Sequence, residues 1–283
     1  MAKPTSPIFD PAGFNAQIAL DNTIRQLLIA GAVLAGLMVL LLPGLGLIST
    51  VLAPVMLMGL WFWLTVSTAR VGRALPMVGG LLTNDPDRAD AEIEQLLRHR
   101  PVMRWARLLT YHRLATLRHL QRRFSETASI CLCLLNQPLK GPAAAARPHL
   151  LLMLAESQLE VGNLPGAYHA LAHLQQTRLG LAESLQRLAI QTRYELAVGA
   201  YGSALQRSRA KVELAELMPV AHCATMHAML ATAAHHEEQP RLAAWLWERT
   251  RLLAPPELLN QLERGGFGIG VVEPGPALGD EPA

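Results

Sequence analysis

Charged residues are missing altogether between Gln26 and Ala69. Lysine is scarce everywhere: Lys3, Lys140 and Lys211 are the only three, and arginine carries the basic charge. The three cysteines, Cys131, Cys133 and Cys223, are odd in number and lack framework spacing, which argues against a disulfide scaffold. Cys131 and Cys133 are two apart, about 200° around a helix, so they cannot converge on one metal from a regular helix. Free thiols in a reducing compartment are the simplest expectation. Strand signals are nearly absent after Arg70, and no Asn-Gly or Asp-Gly hairpin turn occurs there. No Ser-His-Asp order, paired carboxylates or GxSxG elbow stands out, so no enzyme is expected and no cofactor is implied.

The uncharged stretch is long enough for two helices of about 20 apolar residues, the length that crosses a bilayer. The sequence predicts spans at Ile24–Leu42 and Leu45–Val66, joined by the turn Pro43-Gly44-Leu45-Gly46. Asp21, Asn22 and Thr23 can cap the first span. Pro54 predicts a kink in the second, and Trp61 and Trp63 sit near its end. Lys3 and Arg25 precede the pair, and Arg70 and Arg73 follow it. The expectation is therefore a multi-pass integral membrane protein in the lipid bilayer, with both termini cytoplasmic. A cleaved signal peptide fits less well, because a second apolar run follows the first. A buried hydrophobic hairpin is the other alternative. Neither span carries an ionisable residue, so anchoring is expected and transport is not.

After Arg70, apolar residues recur at intervals of three and four, which predicts helices. Leu151–Leu174 and Leu188–Val212 share a layout: a helix, a Val-Gly turn at Gly162 or Gly199, then a small residue five positions on, Ala167 or Ala204. His227–Pro255 has the same layout with Ala243. Tyr111–Leu135 fits loosely around Phe124 and Ala128. The small residues recur at about 37 to 39, in the range of helical solenoid repeats. Asp87–His99 reads as a lone first helix and Glu257–Arg264 as a closing one.

These segments resemble tetratricopeptide repeats. Ala155, Gly162, Ala167 and Leu171 match one unit; Thr192, Gly199, Tyr201 and Ala204 the next; Ala231, Ala243, Trp247 and Pro255 the last. The resemblance covers about 150 residues and is degenerate. Leu151, Leu188 and His227 stand where an aromatic is usual, and the outer units lack the glycine. A generic helical-hairpin solenoid stays open beside it. The expected fold is all-α, a transmembrane hairpin followed by an α-solenoid. Its parts are a cytoplasmic segment 1–23, the hairpin 24–67, a juxtamembrane linker 68–84, the repeat domain 85–264 and a disordered tail 265–283.

The resemblance implies a scaffold that holds a partner protein at the cytoplasmic membrane face. First-helix residues would line its groove: His112, Thr116, His119, Glu156, Leu159, Glu160, Arg193, Leu196, Thr232, His235 and His236. Eight arginines and no carboxylate lie between Arg98 and Arg123. Arg98, Arg100, Arg104, Arg107, Arg113 and Arg118 could meet anionic lipid headgroups. A solvated helix face is the alternative. Nucleic-acid binding is the weakest of the three, because nothing resembles a base-reading module. A rival function is a metal- or redox-responsive membrane sensor built on Cys223 and nearby histidines. Cys223 and His227 are four apart on one helix face, but zinc needs two more ligands that no spacing picks out, so no metal site is assigned. The run Gly265–Gly270 lacks the Lys-Ser/Thr ending and following helix of a phosphate loop.

Overall fold

The computed structural model describes residues 9–41, 47–98 and 104–264, and every regular element among them is helical. The helices are α1 (Pro11–Leu41), α2 (Leu47–Asn84), α3 (Pro86–Arg98), α4 (Arg104–Leu120) and α5 (Phe124–Leu135). A short 3-10 helix, Gly141–Ala146, leads into α6 (Arg147–Glu160), α7 (Leu164–Gln175), α8 (Leu181–Ala197) and α9 (Tyr201–Leu205). The remainder are α10 (Ser208–Ala215), α11 (Val220–His236), α12 (Pro240–Leu253) and α13 (Pro256–Glu263). The protein is all-α, with no strand among the described residues.

The chain divides into two compact units. The first runs to Gln121 and takes in Ser129–Arg147; the second holds Arg122–Ala128 and the chain from Pro148 onward. In the first, α2 packs on α1, α3 and α4, and α3 packs on α4. The local signals for α3 are plain. Asp85 accepts from the Arg88 N–H at 3.0 Å, Pro86 starts the helix, and Asp87 and Arg98 complement its dipole. Its Ala89, Ile93 and Leu96, at helical spacing, are buried.

The expected transmembrane hairpin is corrected here. Among the described residues, no helix is long and apolar enough to cross a membrane. That finding overturns the reading as a two-span integral membrane protein with cytoplasmic termini. Both helices also run well beyond the expected spans and pack against protein. The early part of α1 buries Phe14 and Ile18, and the late part of α2 buries Val71, Leu75, Val78 and Leu82. Residues 68–84, expected as a linker, are helical. Between these parts, Leu27, Val33, Leu34 and Leu37 of α1 and Val55, Met58 and Phe62 of α2 are exposed. The turn at Pro43–Gly46, the side chains of Pro54, Trp61 and Trp63, Lys3, and the tail with its Gly265–Gly270 run lie outside the described residues.

In the second unit, α6 and α11 are buried over most of their length and form the interior, polar Glu156, Ser157 and Gln158 of α6 included. Leu150–Leu159 and Cys223–Ala231 are buried without interruption. Helix α11 packs against α8, α9, α10, α12 and α13.

One turn recurs three times in this unit, and its left-handed φ occurs once more at Arg122, after α4 of the first. A residue in the left-handed region ends one helix, a single residue follows, and the next helix begins. The left-handed residues are Arg122 (φ 58°), Gly162 (79°), Gly199 (74°) and Glu238 (55°). At Gly162 two bonds close a Schellman turn: Asn163 N–H to the Gln158 carbonyl at 2.8 Å, and Gly162 N–H to that of Leu159 at 3.0 Å. Ala200 and Gly199, and then Gln239 and Glu238, make the same pair with Glu195 and Leu196, and with Ala234 and His235. The Glu238 turn therefore keeps these bonds without a glycine, and Arg122 shares the left-handed φ. Five residues beyond each left-handed residue stands a small buried side chain: Thr127, Ala167, Ala204 and Ala243. In the outer unit the equivalent is Thr127 and not Ala128.

Candidate functional site

The expected groove residues divide between the two units. In the first, Thr116 and His119 are buried and His112 is half-buried; the Thr116 hydroxyl donates to the His112 carbonyl at 3.0 Å. In the second, Glu156 and Leu159 are buried. Glu160 meets Arg193 at 2.8 Å. Leu196 and Thr232 are half-buried, and the Thr232 hydroxyl donates to the Ala228 carbonyl. His235 and His236 are exposed, and His236 stacks on Tyr201 with ring centroids 4.0 Å apart. The structure brings together Glu160 with Arg193, and Tyr201 with His236. Thr116, His119, Glu156 and Leu159 serve the packing between helices.

The arginine run is arranged by partners outside the run. Arg107 pairs with Asp21 of α1 at 2.8 Å, and Arg118 with Asp90 of α3 at 3.2 Å. Both arginines are buried. Arg104 donates to Gln137, and burial pulls the Arg113 guanidinium below its ordinary value. Arg98 is exposed and pairs with Glu94; Arg100 lies outside the described residues. Two of the six expected headgroup contacts are thus interior ion pairs. A charge run read along the chain looked uncompensated because its carboxylates come from elsewhere in the fold.

A different site emerges in the second unit, where the recurring pattern breaks. After the turn at Gly199, the second helix stops at Leu205 and restarts at Ser208. The break is made by Arg207, a non-glycine residue with φ 57°. Its counterparts α7 and α12 run 12 and 14 residues without interruption. Lys211 closes the break: its buried Nζ donates to the Ala204 carbonyl at 2.8 Å and lies 3.1 Å from Glu195. Ala204 sits at the end of α9, where a helix would otherwise leave carbonyls unmet.

The restarted helix α10 faces α12 across a cleft of about 360 Å³. Val212, Leu242 and Leu246 supply its apolar lining, with Trp245 half out in solvent at 43 % exposure. Arg209, Glu213, Glu216 and Arg249 form the polar rim. The rim charges satisfy one another: Arg249 with Glu216 at 2.7 Å and Arg209 with Glu213 at 3.2 Å. The Arg249 guanidinium also lies 5.0 Å from the centroid of Trp245, a cation–π contact that fixes the indole. The sequence reasoning missed this cleft. Its only linear trace is Trp245 four residues before Arg249, since the helix break carries no Gly or Pro at Gln206-Arg207.

Beneath it on α11, Cys223 Sγ lies 4.0 Å from His227 Nε2. His227 is fully buried, and its Nδ1 has no hydrogen-bond partner. Burial, and then the Arg249 charge, lower the His227 pKa against an opposing effect of Glu216. Burial likewise raises the Cys223 thiol, with Arg249 opposing and Glu216 adding. Among the described residues no three His, Cys, Asp or Glu side chains gather to hold a metal ion. Two of them, this pair, do meet.

No family model, curated protein or solved structure matches the chain. The resemblance to tetratricopeptide repeats is corrected by that result. The physical departures agree with it: Arg122 and Glu238 replace the turn glycine, and Arg207 splits the helix of a central unit.

Proposed function

We propose that the second unit is a non-enzymatic helical-repeat scaffold, a row of antiparallel helix pairs, whose α10/α12 cleft receives an apolar segment of a partner protein. The observation that carries this reading is Trp245. A large aromatic side chain stands half exposed over an apolar floor, held in place by Arg249. Ordered aromatics and arginines of this kind supply most of the energy at protein interfaces. The rim offers no unpaired charge, so the ligand is read by its apolar face, as an amphipathic helix laid along a groove is. The shared turn bonds of three successive helix pairs, each followed five residues on by a small buried side chain, support the repeat part of the reading.

Site-specific photocrosslinking in the native cell tests it. A photoreactive residue at Leu242 should give a discrete protein adduct that Trp245→Ala abolishes. The same probe at Leu252, the most exposed large apolar residue of α12 at 83 %, should give none of that adduct. Equal labelling at both positions, or an adduct indifferent to Trp245→Ala, overturns the proposal.

A further inference from the structure

The two long helices are closed over at their outer parts, where Phe14, Ile18, Val71 and Val78 are buried. Their uncharged reaches are not. Leu27, Ala30, Leu34 and Leu37 of α1 are exposed, at steps of three, four and three. Val55, Met58 and Phe62 of α2 are exposed at steps of three and four. Apolar residues at this alternation draw one seam along a helix, the seam through which paired helices interlock their side chains. A Cβ placed on Gly31 or Gly59 would meet nothing within 4 Å, so no other described segment closes over either helix there.

We infer that these seams are the interface of a homodimer, in which the α1–α2 pairs of two copies join as a four-helix bundle. Area is the first argument for a second copy. The six large side chains of the seams are 48 to 72 % exposed. They present on the order of 700 Å² per copy, against about 800 Å² per partner in a standard interface and a few hundred in the apolar patches of ordinary monomers. Charge is the second. No charged residue lies between Gln26 and Ala69, so the face carries nothing that selects a foreign partner by charge and nothing that its own copy repels. A two-fold contact sets the same patch on both partners, and an uncharged seam is compatible with itself. Third, among the described residues no helix is long and apolar enough to cross a membrane, so a spanned bilayer is not the cover. This inference does not depend on the cleft between α10 and α12 binding a protein.

The test is sedimentation equilibrium of the full chain in detergent-free buffer. The wild type should sediment at twice the 30.8 kDa of one chain. Leu34→Glu and Phe62→Glu, one on each helix, should each give the monomer with far-UV circular dichroism unchanged, because both side chains are exposed in the single copy. The milder Leu34→Ala/Phe62→Ala should raise the dissociation constant by about tenfold or more. Met77→Glu, on an exposed residue of α2 outside the uncharged stretch, and Trp245→Ala should leave the dimer intact. A monomeric wild type overturns the inference, as does a dimer that persists in both glutamate variants. So does a wild type that floats as a monomer with phosphatidylcholine vesicles, which would make lipid the cover. If a glutamate variant loses helix content, the double alanine variant decides, and an unchanged dissociation constant there overturns the interface.

Discussion

The guanidinium of Arg107 lies 2.8 Å from the carboxylate of Asp21, inside the contact between α4 and α1. The same contact holds the Tyr111 hydroxyl donating to Gln17 Oε1 at 2.9 Å. The Tyr111 ring meets Phe14 edge-on, with centroids 4.7 Å apart. Breaking a buried pair from one side leaves the other charge without compensation, which costs about 3 to 5 kcal/mol when both are fully buried. Asp21 keeps some solvent, so Asp21→Ala should cost about 2 kcal/mol. Glu94→Ala, which breaks the exposed pair with Arg98, should cost about 0.5 kcal/mol or less. Thermal melts of the two variants compare them directly; equal shifts would mean that Asp21 is not fixing α1.

The left-handed turn residues give a prediction with opposite signs. A side chain in this region costs about 1 to 2 kcal/mol in backbone strain, part of which glycine returns as unfolded-state entropy. Glu238→Gly and Arg122→Gly should therefore raise stability by about 0.5 to 1 kcal/mol. Gly199→Ala should lower it by at least as much. Denaturant midpoints of the three variants measure this.

Ala167 and Ala204 are fully buried, where the recurring turn brings the second helix closest to its neighbours. Leucine at either position overpacks the contact, at about 1 to 3 kcal/mol. Ala182→Leu, on an exposed stretch of α8, should leave the melting temperature unchanged. If all three melt with the wild type, the small residues are not at helix contacts.

His227 makes stability depend on pH. Its folded pKa is lowered below the ordinary 6.5 by burial and Arg249. The unfolded chain therefore binds the proton first as pH falls, and stability rises with pH in that window. The contribution is complete above about 6.5 and is lost as pH falls from there through the lowered folded value. Chemical denaturation at pH 7.5 and 5.5 should show this loss, and His227→Gln should remove most of it. An unchanged slope in the variant would place the titration elsewhere.

Much of the second unit was legible in the sequence. The three- and four-residue spacing of apolar residues marks helices because a helix buries one face. Gly162 and Gly199 mark turns because their φ favours glycine. Arg122 and Glu238 were not legible as turn residues, since neighbouring bonds hold them where sequence preference would not. The burial of Thr116, His119, Glu156 and Leu159 was equally hidden. A first helix exposes or buries a given face according to what stacks on it, and that is not written in its own period.

The sequence by itself determined that the protein is helical, that turns lie at Gly162 and Gly199, and that Cys223 and His227 share one face. Those are properties of neighbours along the chain. Only the tertiary structure decided which charges are paired, because Asp21 and Asp90 reach Arg107 and Arg118 from other helices. It also decided how far the long apolar helices are engaged by protein, and where the cleft opens. Arg207 breaks a helix that its local sequence would continue, and Lys211 stabilises the break by reaching the Ala204 carbonyl and Glu195 together. Such an interaction depends on two segments meeting, and local propensity carries no term for it.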